Sequence, residues 1–158
     1  MAAEVRVHDI TRGAAQDFFE VAWRQFNEEL FGEAFLWILT GEYHLGASMD
    51  DGELLGAARY TLAEGVGYLR ELVVRQAHRS QGIGDKLLAA FEADCRRRRC
   101  HKLFLDVAAV NVRAQDFYRR HGWEQEGLMR RHWREVDFQT WIKWLQENPL
   151  PPRRERAG

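Results

Sequence analysis

Residues 66–91 read VGYLRELVVRQAHRSQGIGDKLLAAF, and the reading of this stretch decides the fold. Leu69, Leu72, Val73 and Val74 mark a strand. Arg79-Ser80-Gln81-Gly82-Ile83-Gly84 is a glycine-bearing turn. Leu87, Leu88, Phe91 and Cys95 then recur at helical spacing. A turn that opens a helix presents N–H groups with no intrahelical partner, and the helix dipole favours negative charge there. The stretch therefore suits a bound anion, and a pyrophosphate is the first expectation.

The rest of the chain sets bounds. Its 158 residues suffice for one domain with a hydrophobic core. Basic and acidic residues nearly cancel, 23 against 24, so charge gives no reason to expect a nucleic acid or a membrane surface as partner. No apolar run approaches the ~20 residues of a membrane helix, and the first ten residues lack a signal-peptide pattern. Cys95 and Cys100 do not form a disulfide framework, which makes a reducing cytoplasm the expected location.

Outward from the central stretch, periodicity gives the remaining elements. Residues 4–10 alternate as a first strand, and residues 11–30 carry an apolar stripe of Phe18, Phe19, Ala22, Trp23, Phe26 and Leu30 at helical spacing, with Thr11 as cap. Residues 33–40 suggest a second short helix. Residues 43–49 and 54–61 read as strands joined by the turn Asp50-Asp51-Gly52-Glu53. Ala63-Glu64-Gly65 returns the chain into the central stretch, so three antiparallel strands follow one another. The helix after Gly84 ends near Arg99. Residues 101–107 form a strand, and 111–121 a helix capped by Asn111 and stopped by Gly122. Residues 124–131 and 132–145 close the fold as two strands. Residues 148–158, with three prolines, read as a flexible tail behind a single domain spanning 1–147. The expected class is α/β (α+β), a sheet with helices on both faces.

Four features in this order resemble the GNAT family of N-acetyltransferases. They are the apolar strand Leu72-Val73-Val74, the turn Arg79-Ser80-Gln81-Gly82-Ile83-Gly84, Asn111 after the next strand, and Phe117-Tyr118-Arg119-Arg120-His121-Gly122-Trp123. The resemblance implies a mostly antiparallel central sheet, splayed between its fourth and fifth strands, with acetyl-CoA as co-substrate in the split; Cys95, Cys100, His101 and His121 have no paired short spacing of the zinc type, so no metal is expected. It implies that Arg79, Ser80, Gln81, Gly82, Ile83 and Gly84 wrap the pyrophosphate. It also implies that the backbone of Leu72, Val73 and Val74 holds the pantetheine arm, one N–H polarising the thioester. Neither a Walker loop nor a dinucleotide fingerprint fits the same glycines.

Asn111 and Tyr118 lie seven residues apart, two helical turns, so both can face one cleft, with Phe117 turned towards the core. Tyr118 is the candidate general acid for the departing thiolate; packing beside the sulfur is the plainer alternative. Asn111 either caps its helix or contacts the cofactor. An amine acceptor must lose a proton, and Glu71 is the carboxylate that the resemblance places nearest. Simple alternation sets Glu71 on the face of Leu69 and Val73. An ordinary glutamate is about six pKa units too acidic to take that proton directly, so a shifted pKa or a water relay is required. An acceptor-binding carboxylate without a proton role is the alternative.

The acceptor is expected to be a small-molecule amine or a peptide or protein amine. The regions that differ most among relatives correspond to residues 23–37 and 129–137. The first sets Glu28, Glu29 and Glu33 among Trp23, Phe26, Phe31, Phe35 and Trp37, a composition suited to a cation and equally to an ordinary amphipathic helix. His132 and Trp133 fall in the second. A competing function is an inactive acyl-CoA-binding regulator, and homodimerisation is left open.

Overall fold

The computed structural model describes residues 8–34 and 39–146. Chain contacts divide into two units, Met1–Ile38 and Leu39–Gly158. The first unit contains helix α1, Arg12–Phe31. Thr11 caps it, its hydroxyl accepting from the Ala14 N–H at 3.2 Å. Gly32 ends it with φ 78°, a left-handed conformation that glycine adopts without strain. Residues 4–7 of the expected first strand lie outside the described residues, and residues 8–10 have no regular structure. The expected helix over 33–40 is not formed where it can be seen, because Leu39 already begins a strand. Residues 35–38 and the tail from 148 onward lie outside the described residues.

The second unit is built on a six-stranded open sheet in the order β1-β2-β3-β4-β6-β5. Its strands are β1 (Leu39–Ser48), β2 (Leu54–Ala63), β3 (Val66–Val74), β4 (Lys102–Ala108), β5 (Glu124–Trp133) and β6 (Val136–Trp144). Helix α2 (Ile83–Arg97) follows β3, and α3 (Val112–Arg120) follows β4. All neighbouring pairs are antiparallel except β3 and β4, which run parallel. That pair is in register only at Val66↔Lys102, Gly67↔Leu103 and Tyr68↔Phe104. Beyond Tyr68 the strands part. With residues 4–10 counted as the first strand of the expected sheet, this is the split between the fourth and fifth.

Alternation explains the inner face. Leu103, Leu105 and Val107 of β4, Ala58, Tyr60 and Leu62 of β2, and Leu69 of β3 are buried with Leu88, Phe91 and Cys95 of α2. Two buried carboxylates tie α2 down. Asp94 accepts from the Tyr60 hydroxyl at 2.5 Å and from Arg98 at 3.0 Å, and it also pairs with Arg97. Glu92 accepts from Trp123 Nε1 at 3.0 Å and from Lys143 Nζ at 2.8 Å, joining α2 to β6 and to the end of α3. Arg96 lies 3.5 Å from Glu92, and Arg98 stacks on the Tyr43 ring at 4.1 Å. Three of the four arginines of 96–99 are thus engaged within the fold. Cys95 and Cys100 are free and buried, and burial pushes both thiols up. Trp141 is buried at 2% exposure, whereas Trp144 is exposed.

Candidate active site

The register of β2 and β3 shifts between Arg59↔Glu71 and Tyr60↔Leu69, leaving Arg70 as an extra residue. Such a bulge resets the alternation. Leu69 and Leu72 therefore share the inner face, Leu72 packing against the core. Glu71 and Val73 are exposed, on the outer face. The expectation that Glu71 shares a face with Leu69 is corrected by this one residue. Glu71 pairs across the strands with Arg59, Oε1 to Nη2 at 2.9 Å.

On the inner side, a cleft of about 810 Å³ opens between the end of β3, the turn, and helices α2 and α3. It brings together Leu72, Val73, Val74, Arg79, Ser80, Gly82, Ile83, Gly84, Asn111 and Tyr118. Gln81 and Glu71 are not in its lining. The Gln81 amide instead donates to the Ala77 carbonyl at 3.3 Å.

The turn is held by its own side chains. Arg79 Nε donates to the Val74 carbonyl at 3.1 Å, and Arg113 Nη2 to the Ser80 hydroxyl at 3.3 Å. Gly82 sits at the N-terminus of α2 with φ 77° and offers no side-chain cap. The first N–H groups of α2 therefore have no partner within the helix. Gly84 differs: a Cβ there would meet the Phe117 ring at 3.5 Å, an ordinary contact. The left-handed conformation favours glycine at 82, whereas at 84 an added Cβ would make only ordinary contact. Asn111 caps α3, its Oδ1 accepting from the Ala114 N–H at 3.1 Å, and lines the cleft as well.

Tyr118 belongs to the core at 8% exposure and borders the cleft. Among the described residues its hydroxyl has no hydrogen-bond partner, and burial pushes the phenol up to about 12. Phe117 is the less buried of the two, lying beside Gly84 and 4.5 Å from the His121 ring. The split adds a further element. Past Tyr68 no strand among the described residues pairs with the β4-facing edge of β3, so that edge can hydrogen-bond an extended ligand as a strand would.

Sequence reasoning missed His78, Arg113 and Arg120, which also line the cleft. Arg113 and Arg120 are two turns apart on α3, as Asn111 and Tyr118 are, so the same periodicity places them beside the turn. With Arg79 they bring three guanidinium groups to the lining, alongside the carboxylates of Asp85 and Asp116, and guanidinium donors fit a polyanionic ligand. The sequence profile of the acetyltransferase (GNAT) family matches residues 9–123. The chain belongs to the GNAT acetyltransferase family. An acetyltransferase of Agrobacterium fabrum is 36% identical over 80 residues, 51% of this chain and 57% of the relative; the chain thus spans little more than half of that protein. A Bacillus cereus acetyltransferase structure has a TM-score of 0.70 at 20% identity, covering 89% of this chain and 98% of the other. A Bacillus anthracis acetyltransferase, solved in complex with acetyl coenzyme A, has a TM-score of 0.61 at 16% identity, covering 66% and 62%. These two structures are similar in fold. No helix among the described residues of this GNAT protein is long and apolar enough to cross a membrane.

Proposed function

We propose that this GNAT protein is an N-acetyltransferase that moves an acetyl group from acetyl-CoA to a primary amine by direct attack in a ternary complex. The observation that carries this reading is a cleft that opens at the end of β3, where its pairing with β4 has stopped. The parted edge of β3, the free N–H groups of α2 and the unpartnered Tyr118 hydroxyl all meet there. Acetyl-CoA supplies an activated acetyl group as a thioester. The main chain at Gly82, Ile83 and Gly84 holds the pyrophosphate, with Arg79, Arg113 and Arg120 adding charge-assisted contacts. Main-chain groups of Leu72, Val73 and Val74 pair with the pantetheine arm. One of their N–H groups stabilises the negative charge that develops on the carbonyl oxygen.

The amine nitrogen bonds to the acetyl carbon, the carbon–sulfur bond breaks, and Tyr118 gives its proton to the leaving sulfur. With the phenol at about 12, that transfer is uphill by about 5 kcal/mol against a thiol of ordinary pKa. A thiolate in the same dry cleft is raised too, because burial disfavours each anion alike, and the gap narrows. The amine's proton leaves on the outer face through water, with Glu71 as the candidate acceptor at the end of that relay.

The test is a panel of primary amines with acetyl-CoA and detection of released thiol. Amine-dependent thiol release supports the reading. Acetyl-CoA binding without release across the panel would instead indicate a binding domain without transferase activity.

A further inference from the structure

The outer face of the split carries a carboxylate that the proposed mechanism does not use. Asp106 stands on β4, two residues past Phe104, the last residue of β4 in register with β3. Its neighbours on β4, Leu105 and Val107, are buried inward, so Asp106 points outward, on the side away from α2. The Tyr68 hydroxyl reaches across from β3 and donates to Asp106 Oδ2 at 2.5 Å. The Thr140 hydroxyl, opposite on β6, lies 3.5 Å from Oδ1.

Three observations single this group out. It is half-buried at the point where the two strands part. Its contacts are neutral hydroxyls: among the described residues Asp106 has no ion pair, whereas Glu71 is paired with Arg59. Arg70 donates to Thr61 and lies over the Tyr68 ring at 3.9 Å, and its charge and hydrogen bond to the Tyr68 side chain oppose the rise of that phenol. Aromatic residues border the carboxylate on the same face. Tyr68 stacks on Phe104 with centroids 4.1 Å apart, and Phe138 pairs with Ala108 one step along the strand. Burial first, then the hydrogen bond to Asp106 and its negative charge, push the Tyr68 phenol up to about 12, so it stays a donor and fixes the carboxylate.

We propose that Asp106, held by Tyr68 and Thr140, is the anchor for the acceptor's ammonium group on the outer face of the split. The argument rests on the amine-transfer reading above. A carboxylate without a cation of its own, walled by aromatic rings, is the complement of a protonated primary amine. Binding there would set the nitrogen against the parted strands, opposite the cleft that serves the cofactor, and one proton passes from the bound ammonium to the water relay before the nitrogen attacks. Tyr68 is then a positioning residue, because it acts through Asp106.

The experiment is steady-state kinetics of the full chain with an amine found in the panel, alongside calorimetric binding of acetyl-CoA. Asp106→Asn should raise the KM for the amine by roughly tenfold or more and leave acetyl-CoA affinity within about twofold. Asp106→Glu, which keeps the charge, should recover most of the amine KM with a reduced kcat. Tyr68→Phe should raise the amine KM less than Asp106→Asn does. An unchanged amine KM in Asp106→Asn overturns the anchor and leaves the transferase reading standing. Loss of acetyl-CoA binding in Asp106→Asn makes the residue structural and also overturns it. A wild-type protein that binds acetyl-CoA and acetylates no amine removes the transferase reading, and the anchor with it.

Discussion

Tyr118 holds its proton tightly because its ring is built into the core while its hydroxyl opens on the cleft. If it is the general acid, its raised pKa of about 12 keeps it protonated over the working range. Turnover should then rise with pH as the amine deprotonates and show no alkaline fall below about pH 11. A fall near pH 10 in the pH–rate profile would contradict the assignment. Tyr118→Phe should lower kcat by roughly a hundredfold with acetyl-CoA affinity unchanged, as measured by turnover and calorimetry. Gly82 makes a different demand. At φ 77° an alanine would cost about 1–2 kcal/mol in the turn that presents the N–H groups. Gly82→Ala should weaken acetyl-CoA binding by about tenfold in the same calorimetric measurement.

The elements most exposed to error in the sequence are those whose register departs from simple counting. The hairpin at Asp50–Glu53 was legible because Asp-Gly between apolar runs has a specific backbone meaning, and β1 and β2 flank it as expected. The bulge at Arg70 left no such mark, since a bulged arginine looks like any outward-facing residue. The β5–β6 turn was also hidden. It falls at Arg134 and Glu135, both with positive φ of 51° and 60°, between the paired residues Trp133 and Val136. Neither residue type signals that conformation, which is why the closing strands were divided two to four residues early. Asp106 escaped notice within an apolar strand, because its value depends on which strands lie beside it. The α2 anchor through Glu92 gives a test at this scale. Glu92→Ala leaves Trp123 Nε1 without its partner and Lys143 Nζ without its counter-charge, with only the His121 carbonyl still accepting from it, and should cost about 3 kcal/mol, read as a lower urea midpoint.

Across the second unit, the strand–turn–helix of 66–91 and the motif around Tyr118 were enough to name most residues that meet at the cleft, because both are local patterns. The acceptor side was not legible, because it is assembled from β3, β4 and β6, far apart in sequence. A buried carboxylate of α2, Asp94, makes stability sensitive to acid. Burial works to raise the Asp94 pKa, but the hydrogen bonds from Tyr60, Arg98 and Arg97 outweigh it and hold the carboxyl below its usual value. Its stabilising contribution is therefore complete above the unfolded-state pKa, near 4, and is lost as pH falls through the lower folded value. Urea melts of wild type and Asp94→Asn should differ at neutral pH and converge below about pH 4; a constant difference down to pH 2 would remove Asp94 from that role.

The three-rung junction of β3 with β4 also has a mechanical meaning. Along that seam the sheet is two plates riveted at one end, with β1–β3 on one side and β4–β6 on the other. A cofactor seated between the plates acts as a splint that supplies the rungs the strands lack. Exchange of those amides within 69–74 and 105–108 that face the split, and not β2 or β6, should accordingly slow on cofactor binding far more than exchange at the β1–β2 or β5–β6 ladders, which are already closed.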